Sequence, residues 1–337
     1  MKMMKKLSCM FAVVLVICMM LSASAFAVTE VTYSTKSAGS VQDQAMDLFA
    51  QKLEELSGGR IVGKKYIAGT IGSEEEMAEA VAMGDLGATF AADTMIGNCA
   101  NGVLGFLALP GLVKSYDDAE AAIYSEDGWL SQIISQIMEE KIGLKRLAGG
   151  DNDFRVLGVN KEIKTKADIQ GVKVRCGNAW ANLEFYGRAG FMPVVVASSE
   201  TMSALEQGTV DGAENGLVNL RDGGYATALK YILPVNYMYS PASIIVNLDW
   251  FDSLSAEDQA IVTEAAKIAA RFEIDANIKA SEDLMEEMTG NGTWTKLEMN
   301  DELVSAFDAA VESMWKDAPE KYGADVIDLL LANMPQD

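Results

Sequence analysis

The sequence predicts an α/β protein of two lobes facing each other across a ligand cleft, with a long helix near its C-terminus. Three observations carry this. Short β-prone runs alternate with amphipathic helical stretches that end at glycine. The pattern Glu76-x-x-x-Ala80-Val81-x-x-Gly84-x-Leu86 returns as Glu200-x-x-x-Ala204-Leu205-x-x-Gly208-x-Val210, each a helix closed by glycine before a strand, which implies two units of like construction. Finally, Ser255 and Asp258 open a helical pattern that runs without proline toward Gly290.

The elements follow in order. Lys2, Lys5 and Lys6 precede a mostly apolar run from Leu7 to Leu21 and the small-residue ending Ala25-Phe26-Ala27, so residues 1–27 read as a secretory signal peptide. The run is shorter than the roughly 20 residues a membrane-spanning helix needs, so no direct membrane insertion of the mature chain is expected. Export would place the protein in the periplasm. A strand from Val31 to Thr35 then precedes a helix carrying Ala45, Leu48, Phe49, Leu53 and Leu56, stopped by Gly58-Gly59. Arg60 to Ile67 reads as a strand, Ser73 to Met83 as a helix capped by Ser73, and Leu86 to Ala91 as a strand. Strands separated by helices predict a mainly parallel sheet covered on both faces. Residues 28–151 form the expected first lobe. The second, 152–239, opens with a strand from Phe154 to Asn160, followed by strands at Val172 to Arg175 and Pro193 to Ala197. Residues 240–337 supply a return segment and helices bracing both lobes. Whether the 255–290 helix is continuous is left open by its periodicity.

Composition narrows the chemistry. The 337 residues hold 27 Lys+Arg, 49 Asp+Glu and no His, a formal charge of −22. That charge argues against nucleic acid as a partner, because phosphate backbones are repelled. Without histidine there is no Ser-His-Asp triad, Cys-His dyad or His-ligated zinc, and neither a metal nor a cofactor is expected. Cys99 and Cys176, the two cysteines beyond the signal segment, permit a disulfide without demanding one.

With few cations available, the arginines are informative. Arg175 closes Asp168-Ile169-Gln170-Gly171-Val172-Lys173-Val174-Arg175, a short capped helix, a glycine turn and a strand, and is placed at the strand's end beside the cleft. A guanidinium there can hold a carboxylate through two parallel charge-assisted hydrogen bonds, which Lys cannot copy. On composition alone, pairing with one of the many protein acids explains it as well.

Phe154-Arg155, Asp168-x-x-Gly171-x-Lys173-x-Arg175 and the stretch Glu200 through Asp211-Gly212-Ala213-Glu214-Asn215, together with Ser57-Gly58-Gly59-Arg60, Ile71-Gly72 and Leu109-Pro110, resemble the DctP-type family, the extracytoplasmic substrate-binding subunits of TRAP transporters. The resemblance implies a periplasmic-binding-protein-like fold that captures a small-molecule carboxylate and delivers it to TRAP membrane subunits. It implies that Arg175 forms the main salt bridge to the ligand, that Arg155 assists and that Asn215 lies in the pocket. Asn178 and Thr35 resemble polar positions that reach the ligand, and Trp180 and Tyr237 are candidates for an apolar or stacking wall or for core packing. The chain departs from the family at Gly216, where Pro is usual, at Cys176-Gly177, where Val-Pro is common, and at Ala92, which is polar or acidic in some sugar-acid binders. Two other readings are an exported enzyme acting on a carboxylic acid, with Glu200 or Glu214 as general base and Arg175 holding substrate, and an ABC-type binding protein with similar lobes.

Overall fold

The computed structural model describes residues 28–334, so the expected signal segment, residues 1–27, lies outside the described residues. The strands are β1 (Thr29–Ser34), β2 (Ile61–Lys65), β3 (Ala88–Ala92), β4 (Leu144–Val159), β5 (Lys173–Cys176), β6 (Met192–Val195), β7 (Gly212–Gly216), β8 (Tyr231–Leu233), β9 (Tyr239–Asn247) and β10 (Thr295–Lys296). Their hydrogen-bonded order is β2-β1-β3-β9-β4-β7-β5-β6, with β8 against β4 and β10 against β8.

Two strand sets meet along β4. Its first part, from Leu144 opposite Asn247, pairs with β9, and its last part, from Arg155 opposite Gly216 to Val159 opposite Gly212, pairs with β7. The register slips between Asp151 and Phe154, where Asp153 takes a φ of 72°, and this irregularity marks the passage from one sheet to the other.

The first lobe follows the expected β-α-β-α-β order. Ser73 and Glu76 cap the Glu74–Met83 helix reciprocally, with Glu76 N donating to Ser73 Oγ (3.2 Å) and Ser73 N to Glu76 Oε2 (2.7 Å). The sheet differs from the mainly parallel expectation. β9 lies antiparallel between β3 and β4, and β4 is antiparallel to β7. The return segment, coming back from the second lobe, inserts its strand into the first. A second correction concerns β4, which starts at Leu144 and not at Phe154. Gly149-Gly150-Asp151-Asn152-Asp153 has turn composition, but its glycines are needed for close approach: a Cβ on Gly150 would strike the Phe90 ring.

The helix expected from Ser255 is unbroken over Ala256–Gly290, 35 residues long. Ser255 Oγ accepts from Asp258 N (3.1 Å) to start it. Small residues Ala265, Ala266, Ala269 and Ala270 let its first half sit close against Phe49 and Ile244 in the first-lobe core. Leu284 and Met288 in its second half join Leu220 and Trp294 in a second-lobe core. A third cluster packs the Asp301–Tyr322 helix, through Phe307, against Phe185. Among the described residues no helix is long and apolar enough to cross a membrane.

Candidate ligand-binding site

Between the two strand sets lies a cleft of about 800 Å³, lined from both sides. On the second-lobe side, β5 runs parallel between β6 and β7, placing Arg175 opposite Val194 and Ala213. The Arg175 side chain is only 5% exposed. Its Nε donates to the Val196 carbonyl (2.8 Å), which fixes the plane of the guanidinium. Its Nη1 stands 4.0 Å from Glu214 Oε1, and among the described residues neither terminal nitrogen hydrogen-bonds to protein.

Arg155 on β4 and Glu214 on β7 are diagonal neighbours across the two strands. Arg155 Nε donates to Glu214 Oε2 (2.7 Å) and Nη1 to Asn215 Oδ1 (3.0 Å). Burial opposes the Arg155 cation, but the adjacent Glu214 carboxylate outweighs this and raises its pKa above the ordinary value. Glu214 Oε1 accepts from Gly177 N (3.1 Å) and Asn182 Nδ2 (3.3 Å). Both Glu214 oxygens are therefore occupied, which leaves little for a general base to do. Two buried arginines share this one carboxylate, so the cluster retains a positive charge, and a bound anion would neutralise it.

The first-lobe wall has the opposite character. Lys36 Nζ pairs with Glu74 Oε1 (3.3 Å), which also accepts from Ala92 N (3.1 Å). Asn98 Nδ2 donates to Glu75 Oε2 (3.1 Å) and reaches across to the Asn178 carbonyl (3.5 Å), a direct contact between the two sides.

Arg175, Arg155, Asn215 and Asn178 all line the cleft. Thr35, Trp180 and Tyr237 are not among the residues that line it. Thr35 is buried and donates to Asp43 Oδ1 (2.8 Å) of the helix that follows it. Trp180 stands edge-on to Tyr322 at 5.6 Å, with Arg188 over its ring. Tyr237 donates to Asp308 Oδ1 (2.6 Å) and stacks on Phe307. Sequence reasoning missed Lys36, whose signal was a cation directly after the first strand, and Asn152 and Asn182, which carried none. Gly216 is required as glycine: a Cβ there would lie 2.6 Å from Asp153 Cβ. Cys99 and Cys176 are free thiols.

Behind the cleft, the register slip in β4 is held by buried acids. Asp151 Oδ1 accepts from the Tyr239 hydroxyl (2.6 Å) and Oδ2 from Asn277 Nδ2 (2.6 Å), while Asp151 N donates to Glu273 Oε2 (2.9 Å). Burial, and next the charge of Asp153, push the Asp151 carboxyl up to about 6. Burial and the neighbouring Asp151 likewise hold Glu273 well above the usual carboxylate range. The long helix is thus bonded to the point where β4 changes sheets. Among the described residues no group of three His, Cys, Asp or Glu is placed to hold a metal ion.

Two lobes joined by crossing strands, with a cation buried in the cleft between them, define a solute-binding protein. Residues 33–321 match the family model for bacterial extracellular solute-binding proteins, family 7 (DctP), and the chain belongs to that family. A solute-binding protein of Verminephrobacter eiseniae is 32% identical over 232 residues, 68% of each chain. The 2,3-diketo-L-gulonate-binding periplasmic protein YiaO of Escherichia coli is 25% identical over 289 residues, 85% of this chain and 86% of that one. Among solved structures, a TRAP periplasmic solute-binding protein from Polaromonas bound to D-erythronate has a TM-score of 0.81 at 24% identity, covering 92% of this chain and 100% of the other. The sugar acid binding protein DctPAm from Advenella mimigardefordensis, in complex with galactonate, has a TM-score of 0.80 at 23% identity, covering 91% and 99%.

Proposed function

We propose that this protein captures a small organic acid outside the cytoplasm, closes around it, and hands it to the membrane subunits of a TRAP transporter. The observation that carries the reading is the Arg175 guanidinium, buried in the cleft, held in plane by Val196 and, among the described residues, without a hydrogen-bond acceptor at its terminal nitrogens. A carboxylate facing that fork gains two charge-assisted hydrogen bonds in a place where water competes little. Arg155 and Asn215 complete the grip, and Asn178 contributes from the mouth of the cleft, next to its contact with Asn98. Relatives named for 2,3-diketo-L-gulonate and for C4-dicarboxylates support an organic acid as ligand.

A formal charge of −22 repels anions at long range, so capture rests on the local field of the two arginines. Closure is a hinge motion about the β4 slip, stabilised by contacts that exist only when both sides touch the ligand. A thermal-shift screen of the exported chain against organic acids tests the reading. A ligand at about 100 times its dissociation constant adds about 2.7 kcal/mol of stability. A screen in which neutral sugars or cations stabilise the protein and no acid does would contradict it. Uptake that requires TRAP membrane subunits separates this reading from an ABC-type binding protein, and turnover of a bound acid would favour the enzyme.

A further inference from the structure

We infer that Gly177 and Asn182 are positioning residues: together they hold Glu214 away from Arg175, and without them the protein's own carboxylate takes the guanidinium fork that faces the cleft. This rests on the carboxylate reading above and adds what keeps the site from neutralising itself.

Glu214 is fully buried, and its Oε1 stands 4.0 Å from Arg175 Nη1. A charge-assisted N–H···O bond closes at about 2.7–2.9 Å, so a shift of roughly 1 Å separates the open fork from an internal ion pair. The side chain itself resists that shift little. The last torsion of a Glu is broad, and Oε1 can swing while Oε2 keeps Arg155 Nε at 2.7 Å. Nor can Arg175 retreat, because its Nε is bonded to the Val196 carbonyl at 2.8 Å. What occupies Oε1 is a pair of other donors, Gly177 N at 3.1 Å and Asn182 Nδ2 at 3.3 Å.

Local structure brings these two donors to one oxygen. Gly177 directly follows β5, and Ala179 N donates to its carbonyl (2.8 Å), a tight turn into the Trp180–Ala189 helix, whose third residue is Asn182. Among the described residues neither donor has another acceptor. A buried acceptor that loses its donors must find another, since leaving it bare costs more than an ordinary bond contributes. The donors at hand are Arg175 Nη1, the Arg155 guanidinium and the Tyr186 hydroxyl, which is fully buried in the field of Glu214. Arg155 is already matched by Oε2, and a charge-assisted bond is about twice as strong as one to a neutral phenol, so Arg175 prevails. An incoming carboxylate would then meet a neutralised fork with one nitrogen already used.

Unliganded crystal structures of Asn182→Ala and of Asn182→Ala with Gly177→Pro, which also lacks the backbone donor, test this together with calorimetry using the acid that the thermal-shift screen selects. Oε1 is expected to move to within about 3 Å of Arg175 Nη1 in the double variant. Affinity is expected to fall about tenfold for Asn182→Ala and about 100-fold for the double variant, the range of one charge-assisted bond. In a Glu214→Gln background the neutral amide cannot cancel the Arg175 charge, so adding Asn182→Ala is expected to change affinity by less than about threefold. The same loss in both backgrounds would mean that Asn182 acts on the acid directly or on the fold, and overturns the inference. So does a double-variant structure in which Nη1 and Oε1 stay near 4.0 Å, or in which Oε1 turns to Arg155 or Tyr186. Should the double variant not fold, Asn182→Ala alone decides by the same criteria. The structures need no ligand, so they decide this inference even if no acid binds the parent, a result that would sink the carboxylate reading instead.

Discussion

Arg155 and Glu214 form a buried ion pair across adjacent strands, with Arg155 Nε 2.7 Å from Glu214 Oε2. The pair determines what its neighbour can do. Because Glu214 is committed to Arg155, Gly177 and Asn182, it approaches Arg175 no closer than 4.0 Å and leaves that guanidinium open toward the cleft.

Glu214→Gln therefore removes a counter-ion that two buried arginines share. Loss of one partner from a buried pair costs about 3–5 kcal/mol, so the variant is expected to unfold at markedly lower urea concentration than the parent. An unchanged midpoint would mean that Glu214 contributes no net support to the second lobe.

Asp93 gives a pH signature. It is fully buried, beside the Arg146 guanidinium and the Ser243 hydroxyl. Burial outweighs the attraction of Arg146 and pushes its carboxyl up to about 6. Between pH of about 4, where an unfolded Asp loses its proton, and about 6, the folded protein holds a proton that the unfolded chain has released. This group's contribution to stability therefore falls as pH rises through that window, by up to about 1.4 kcal/mol per unit, and is constant above it. Asp93→Asn removes the trend, so relative to the parent the variant gains stability from pH 4 to 6. Urea unfolding across that range checks it, and parallel profiles for the two proteins would contradict it.

The two thiols differ in access. Cys99 is half-buried, and burial together with the Glu79 and Glu75 carboxylates pushes its pKa up to about 11, whereas Cys176 is fully enclosed and held well above the ordinary thiol range by burial. Native alkylation near pH 7 is expected to be slow and to reach Cys99 before Cys176, with both reacting on unfolding and no thiol gained by prior reduction. Recovery of thiols only after reduction would show that the two are bridged.

Much of this arrangement is readable in the residues. The glycine turn at Gly171 followed by a short strand locates Arg175 at a strand end, and Ser73 and Ser255 announce helices that start one residue later. What periodicity leaves out is the direction in which a side chain at an element's end is pulled. Thr35 is captured by Asp43 and Tyr237 by Asp308, the latter 71 residues away in sequence. Trp180 likewise belongs to the packing of the Asp301–Tyr322 helix, through Tyr322. The start of β4 was hidden because glycines needed for close packing have the same composition as a turn. The antiparallel β9 depends on a chain return that no local pattern encodes.

Isothermal titration of Arg175→Ala and Arg175→Lys with the acid that stabilises the parent tests the central claim most directly. Among the described residues the one hydrogen bond of the Arg175 side chain is to the Val196 carbonyl, and Glu214 keeps Arg155 when Arg175 is removed, so both variants are expected to fold. Truncating one partner of a buried charge-assisted pair costs about 2–5 kcal/mol, which predicts an affinity loss of about 30-fold to several thousand-fold for Ala, and a partial loss for Lys, which keeps the charge without the fork. Parental affinity in a folded Arg175→Ala protein would contradict the account.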